Sequence, residues 1–209
     1  MSDATPIVFV IDDDVSVRES LELLIFDEGW RPEVFESANE FLSQPRAVVP
    51  NCLVLDVSLP GLSGLELQRR IASERTATPI IFITGHGDIP STVQAMKAGA
   101  VEFLTKPFTS EAVLGAIRHA LERSRITLDE EAKFHELRDR YSSLSVREQQ
   151  VLTLVVRGLL NKQVGAELGI SEITVKAHRG RVMEKMQANS FAELVEMAGR
   201  LRLTPYRTS

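Results

Sequence analysis

The stretch Val8-Phe9-Val10-Ile11-Asp12-Asp13-Asp14 joins four apolar residues directly to three carboxylates. β-Branched and aromatic residues without polar alternation suit a strand buried on both faces, the habit of a parallel sheet covered by helices. The acids then fall at the carboxyl end of that strand, the edge of an open α/β sheet where ligands bind. They admit two roles. Like charges this close repel unless a cation or a set of donors compensates them, which points to a cation site. A solvated turn whose Asp14 caps a helix starting near Val15 is the alternative.

A parallel sheet demands more βα units, and the sequence supplies them. Apolar-periodic helices are expected at about Val15–Glu28, Ala38–Leu42, Leu65–Ser73 and Ile89–Lys97, with another opening after Ser110. Between them lie strand-like runs near Pro32–Phe35, Cys52–Leu55, Pro79–Ile83 and Val101–Leu104. Five such units predict an α/β doubly wound five-stranded parallel sheet with helices on both faces.

Three of these strand ends carry reactive side chains. The third strand stops at Asp56, the fourth at Thr84 and the fifth at Thr105-Lys106-Pro107, all at the edge that holds Asp12 and Asp13. Three carboxylates, a hydroxyl and an ammonium in one crevice suit phosphoryl transfer to a carboxylate. A hard divalent ion such as Mg²⁺ takes oxygen ligands and keeps waters and phosphate oxygens. Asp12 and Asp13 would hold it, and Asp56 would be the nucleophile, with Lys106 spreading the charge. Singly, each residue has an ordinary explanation: Asp56 a turn cap, Thr84 a strand end, Lys106 a solvated surface lysine. Their shared place at the ends of parallel strands favours the site.

The set Asp12-Asp13, Asp56 ahead of Leu59-Pro60-Gly61-Leu62-Ser63-Gly64, Thr84-Gly85 and Lys106-Pro107-Phe108 resembles the receiver domain of bacterial two-component response regulators over residues 6–122. The resemblance implies a flavodoxin-like fold and phosphorylation of Asp56 by a sensor histidine kinase. It further implies Mg²⁺ held by Asp12, Asp13, Asp56 and the main-chain carbonyl of Ser58. Lys106 and Thr84 would contact the phosphoryl group, Phe103 would move with Thr84, and the peptide before Pro107 would be cis. Phe103 has core packing as its alternative role.

From Ser110 to Arg140 there is no proline, and Leu114, Ile117, Leu121, Ser124 and Leu128 keep a three/four spacing that then slips to Phe134, Leu137 and Tyr141. One long helix or two helices broken near Thr127 both fit. Beyond it, Ser145-Val146-Arg147-Glu148 predicts a capping box, with Gly158 placed to end the helix. Asn161 opens a shorter helix to about Leu168, Gly169 makes a turn and Ser171 caps the next helix, which together form a helix-turn-helix. On that helix a core stripe of Val175, Val182 and Met186 leaves Ile173, Ala177, Gly180 and Glu184 facing outward, flanked by Thr174, Lys176 and Arg181, with Arg179 nearer the core side. A small centre with basic flanks fits a major groove; a solvated surface helix is the bland alternative. A second capping box is expected at Ser190-Phe191-Ala192-Glu193, ahead of a stripe of Leu194, Val195, Ala198 and Leu201.

Leu144-Ser145-Val146-Arg147-Glu148, Asn161-Lys162 and Ile170-Ser171-Glu172-Ile173-Thr174-Val175-Lys176-Ala177-His178-Arg179 resemble the LuxR-type module over residues 143–202. The resemblance implies an all-α four-helix DNA-binding domain in which Lys176 reads bases and Ala177 touches the groove. Asn161, Lys162, Thr174, His178 and Arg179 become candidates for phosphate contacts. Gly180 lies on the same face, where relatives often carry a longer side chain. In the family the last helix pairs two DNA-binding domains; packing within one domain is the other use of its stripe.

Charge agrees with this division. Residues 1–122 hold 9 Lys and Arg against 18 Asp and Glu, residues 123–140 hold 5 against 5, and residues 141–209 hold 10 against 6. An acidic front and a basic back suit a discrete cation site followed by a module that meets a polyanion. Cys52 is the only cysteine, and no run resembles a signal peptide or a membrane span, so a reducing cytoplasm is expected. The chain thus resembles a response regulator of the FixJ/NarL class, with a receiver over 1–122, a helical linker over 123–141 and a DNA-binding domain over 142–209. Its implied partners are a sensor histidine kinase, promoter DNA, RNA polymerase and, on phosphorylation, a second copy of itself, with no membrane. A hydrolase using an aspartyl nucleophile would need a cap over its substrate, and none is visible. A relic receiver would not keep Asp12, Asp13, Asp56, Thr84 and Lys106 together.

Overall fold

A computed structural model describes residues 4–45, 48–71, 78–85, 93 and 95–203. The chain divides into two compact units, Met1–Asp129 and Glu130–Ser209.

The first unit is built on strands β1 (Ile7–Ile11), β2 (Arg31–Phe35), β3 (Asn51–Asp56), β4 (Ile80–Thr84) and β5 (Glu102–Thr105). All pairings are parallel, in the order β2-β1-β3-β4-β5. The uniform apolar runs cover both faces of the sheet. Val8, Val10, Val54 and Ile83 pack on one face against Leu21 and Ile25 of α1 (Val15–Asp27) and Val113 and Ile117 of α4 (Ser110–Ser142). Phe9, Ile11, Leu53, Leu55 and Phe82 pack on the other against Phe41 of α2 (Ala38–Leu42) and Leu67 and Ile71 of α3 (Gly64–Ile71). Fully burying such a side chain is worth about 1.5–3 kcal/mol, so the alternation along each strand decides which helix covers which face. Cys52 is buried in the first of these layers, and burial pushes its thiol ionisation upward. The helix expected near Ile89–Lys97 lies largely outside the described residues.

Asp14 caps α1, its carboxylate accepting from Ser16 N at 2.8 Å. Of the two alternatives for the stretch after Ser110, the structure has one continuous helix to Ser142. At the point where a break was conceivable, the Thr127 hydroxyl donates back to the Arg123 carbonyl at 3.0 Å, satisfying itself without leaving the helix.

The second unit comprises α5 (Val146–Val156), α6 (Asn161–Leu168), α7 (Glu172–Met186) and α8 (Phe191–Arg200), together with the end of α4. Leu137 is buried with Leu144, Leu152, Val182, Met186 and Leu194, with Tyr141 packed against them. The residues before 142 therefore contribute to this core. The first capping box forms: Ser145 Oγ accepts from Glu148 N at 3.3 Å, and Glu148 Oε2 accepts from Ser145 N at 2.8 Å. The second does not form fully. Ser190 Oγ accepts from Glu193 N at 3.1 Å, but Glu193 Oε2 is taken by Asn189, from its main-chain N at 2.8 Å and its Nδ2 at 3.2 Å. Two donors on Asn189 outcompete the single N–H of Ser190. Val195 is 37% exposed and off the buried stripe, which runs through Leu194 and Ala198 with Met197 and Leu201 packed beside them.

Among the described residues, no helix is long and apolar enough to cross a membrane.

Candidate functional site

Register brings the acidic crevice together. Ile11 of β1 pairs with Leu55 of β3, so the next residues, Asp12 and Asp56, come level at the carboxyl edge. Thr84 at the end of β4 pairs with Thr105 of β5, and Lys106 N donates to the Thr84 carbonyl at 2.7 Å. The Lys106–Pro107 peptide is cis. Asp12, Asp56 and Thr84 are buried and Asp13 is exposed. One oxygen from each of Asp12, Asp13 and Asp56 lies within 4.8 Å of the others.

Lys106 holds the two buried acids. Its Nζ donates to Asp12 Oδ2 at 2.6 Å and to Asp56 Oδ2 at 2.7 Å. The remaining carboxylate oxygens accept main-chain hydrogen bonds: Asp12 Oδ1 from Asp14 N at 2.9 Å and Asp56 Oδ1 from Ser58 N at 2.8 Å. Burial lifts the Asp12 carboxyl above its ordinary range, against the pull of the Lys106 ammonium and the Asp14 N–H. Burial alone would lower the Lys106 ammonium, but the hydrogen bonds and charges of Asp12 and Asp56 outweigh it and the net shift is upward. Lys106 therefore stays protonated. An all-oxygen set of three carboxylates, with Ser58 in the adjoining turn, fits a hard divalent cation such as Mg²⁺.

The three adjacent acids divide between the two roles. Asp12 and Asp13 face the crevice, while Asp14 is the helix cap. Phe103 is half-buried, its ring 6.3 Å from that of Phe82. Gly64 permits the close passage of the loop after β3, since a Cβ there would lie 2.6 Å from the Asp56 carbonyl oxygen.

Arg18 was not singled out from the sequence. It is buried on α1, and its guanidinium donates to the Asp12 carbonyl at 2.7 Å and to Glu36 at 3.3 Å. A cation on the same stripe as Leu21 and Ile25 was the available signal, because a charge on a core stripe requires a partner.

In the second unit, Ser171 Oγ caps α7 by accepting from Thr174 N at 3.1 Å, and Val175, Val182 and Met186 are fully buried. This leaves Ile173, Thr174, Lys176, Ala177, Gly180, Arg181 and Glu184 exposed, as the helical spacing requires. Lys162 on α6 is also exposed, and Asn161 is half-buried. Lys176 makes only a loose exposed pair with Glu172 at 3.5 Å. His178 and Arg179 are half-buried; among the described residues, His178 Nδ1 has no hydrogen-bond partner. Arg179 Nη1 donates to Asn161 Oδ1 at 3.2 Å, and its guanidinium carbon lies 4.7 Å from the centre of the Phe191 ring. Phe191 is a second residue not singled out beforehand; it is the first residue of α8, and nothing local marks it as a neighbour of Arg179.

Comparison with known proteins gives a family for each unit. Residues 8–118 match the family described as response regulator receiver domain, and residues 142–198 match bacterial regulatory proteins of the luxR family. Nodulation protein W of Bradyrhizobium diazoefficiens is 50% identical over 202 residues, covering 97% of this chain and 89% of that protein. Response regulator protein TodT of Pseudomonas putida is 48% identical over the same shares. The solved structure of the response regulator StyR superposes with a TM-score of 0.81 at 48% identity, covering 94% of this chain and 100% of that one.

Proposed function

Because the chain belongs to the FixJ/NarL class of bacterial two-component response regulators, a receiver domain followed by a LuxR-type DNA-binding domain, we propose that Asp56 is its phosphoacceptor and that α7 reads promoter DNA. In this assignment residues 1–122 form the receiver, 123–141 the linker and 142–209 the DNA-binding domain.

An oxygen of the Asp56 carboxylate attacks the phosphorus of a phosphohistidine on a sensor histidine kinase. The P–O bond forms as the P–N bond breaks, and the imidazole nitrogen keeps the electron pair. Asp12, Asp13, Asp56 and the Ser58 carbonyl would hold Mg²⁺, whose charge offsets that on the transferring group. Lys106 supplies a second positive charge already poised beside Asp56 Oδ2. The Thr84 hydroxyl contacts the phosphoryl group in the product, and Phe103 moves with it. Phosphorylation biases a pre-existing equilibrium by its different interaction with the two states, favouring a dimer that binds a two-fold promoter site and engages RNA polymerase in the cytoplasm. The chain assists its own phosphorylation and dephosphorylation and turns over no external substrate. On DNA, Lys176 reads base edges, Ala177 and Gly180 lie against the groove, and Thr174, His178, Asn161 and Lys162 approach phosphates.

The observation that supports this most is the convergence of Asp12, Asp56 and Lys106 from three strand ends at hydrogen-bond distance. Incubation with acetyl phosphate, with and without Mg²⁺, tests it by intact mass. One phosphoryl group is expected on the wild type with Mg²⁺ and none on Asp56→Asn; equal labelling of the two proteins would remove Asp56 from its role.

A further inference from the structure

The resemblance makes Arg179 a candidate to grip DNA phosphate, but its side chain is engaged inside the protein. Its Nη1 donates to Asn161 Oδ1 at 3.2 Å, and the guanidinium stacks over Phe191 with 4.7 Å to the ring centre. It is half-buried, whereas Lys176 and Arg181 on the same helix are exposed. We infer that Arg179 is a positioning residue for DNA binding: it ties α7 to the first residues of α6 and α8 and turns the Asn161 amide so that its N–H donors face the DNA backbone.

Donor chemistry carries this assignment. A guanidinium has five N–H donors and no acceptor, so the atom of the Asn161 amide that faces Arg179 must be the oxygen. The two Nδ2 hydrogens are then directed away from Arg179. Asn side chains and helix N-termini are both among the groups that donate to phosphate in DNA complexes, and Asn161 opens α6. The ring of Phe191 also holds the planar guanidinium, through a cation–π contact that a lysine ammonium would make with a different shape. Arg179 thus serves DNA binding through Asn161, and the cations left to the DNA face of α7 are Lys176 and Arg181.

This assignment rests on α7 being the DNA-reading helix, and the test separates the two. The full-length protein, phosphorylated with acetyl phosphate and Mg²⁺, is first used to select sequences from a random duplex library. Wild-type protein that selects nothing overturns the DNA-reading function and this inference with it. With a selected duplex in hand, affinity is measured against salt for Arg179→Ala, Arg179→Lys, Asn161→Ala and the double variant Arg179→Ala/Asn161→Ala. Expected are a loss of about tenfold for Arg179→Ala, a similar loss for Arg179→Lys, and an unchanged slope of log affinity against log salt. In the Asn161→Ala background the further loss on removing Arg179 should fall to about twofold or less, because residues acting through one contact are not additive. A slope reduced by about two, one for each subunit of the dimer, with affinity restored by Arg179→Lys, would mark a direct phosphate contact and overturn the assignment. So would full additivity of the two single losses, or wild-type affinity in Arg179→Ala. Arg179→Lys keeps the charge and the aliphatic stem, so the comparison survives if Arg179→Ala fails to fold.

Discussion

Lys106 is the resting counter-ion of the crevice. Its single positive charge is shared by two acids that are 0% and 5% exposed, and without it only the main-chain donors of Asp14 and Ser58 would offset their mutual repulsion. Lys106→Ala should lower the stability of the first unit by about 2–3 kcal/mol, less than the roughly 3–5 kcal/mol for breaking a fully buried pair because the lysine is partly exposed. Adding Mg²⁺ should raise the midpoint of thermal unfolding more in this variant than in the wild type, since the cation then relieves a greater repulsion. Glu148 is the corresponding device in the second unit. It accepts from Lys185 Nζ at 2.7 Å and from Ser145 N at 2.8 Å. The Lys185 bond, with that from Ser145, pulls its carboxyl down to about 2 from an ordinary 4.5. A lowered folded-state value means that the charged form is the one stabilised by folding. Its contribution is full above about pH 4.5 and is lost as pH falls towards 2. Glu148→Gln should cost about 1–2 kcal/mol near neutrality, with the deficit vanishing at the acid end. Hydrogen exchange of α5 amides in the full chain, compared across that range, reads this directly.

At the level of elements, two glycines in the DNA-binding unit should answer oppositely to alanine. A Cβ at Gly165 would sit 2.7 Å from the Ile170 carbonyl oxygen, in the turn that leads to α7, and backbone cannot yield as a side-chain tip can. Gly165→Ala should destabilise by about 1–3 kcal/mol. Gly180 lies within α7 with nothing within 4 Å of a Cβ. Gly180→Ala should therefore stabilise by roughly 1 kcal/mol from helix propensity, while leaving DNA affinity near that of the wild type, since relatives carry longer side chains at this place. Paired thermal unfolding and DNA titration check both. The sequence made most elements legible because their signals are local. Apolar runs ending in Asp12, Asp56 and Thr84 mark the strands, and Asp14, Ser145 and Ser171 mark helix starts. It failed where the deciding partner is close but unforeseen, as when Asn189 takes the carboxylate of Glu193, or far along the chain. Arg18 meets Glu36, 18 residues on, and Arg179 meets Phe191 from the next helix. The stripe marks Arg18 as needing a partner but does not say which, and the contact of Arg179 leaves no periodic trace. The crevice was legible because strand ends in a parallel sheet are coplanar by construction, although the double hydrogen bond of Lys106 was not.

For the whole molecule, phosphorylation should appear as assembly. In sedimentation, acetyl phosphate with Mg²⁺ should convert wild-type monomer to dimer and leave Asp56→Asn monomeric; a dimer formed equally by both proteins would detach assembly from the acceptor. Because residues 141–209 carry the excess of cations, DNA affinity of either form should fall steeply as salt rises. The crevice also has a history within each molecule's synthesis. Asp12 leaves the ribosome first, Asp56 follows, and the ammonium that completes the site trails them by 94 and 50 residues. No loop holds the site by itself; it exists only once β5 has docked beside β4. A nascent chain, or one cut short before that strand, has acids but no assembled receptor for phosphate. With Asp56 as the proposed phosphoacceptor, the covalent mark is expected only on polypeptides whose sheet is finished, which would make topology a quality check on signalling.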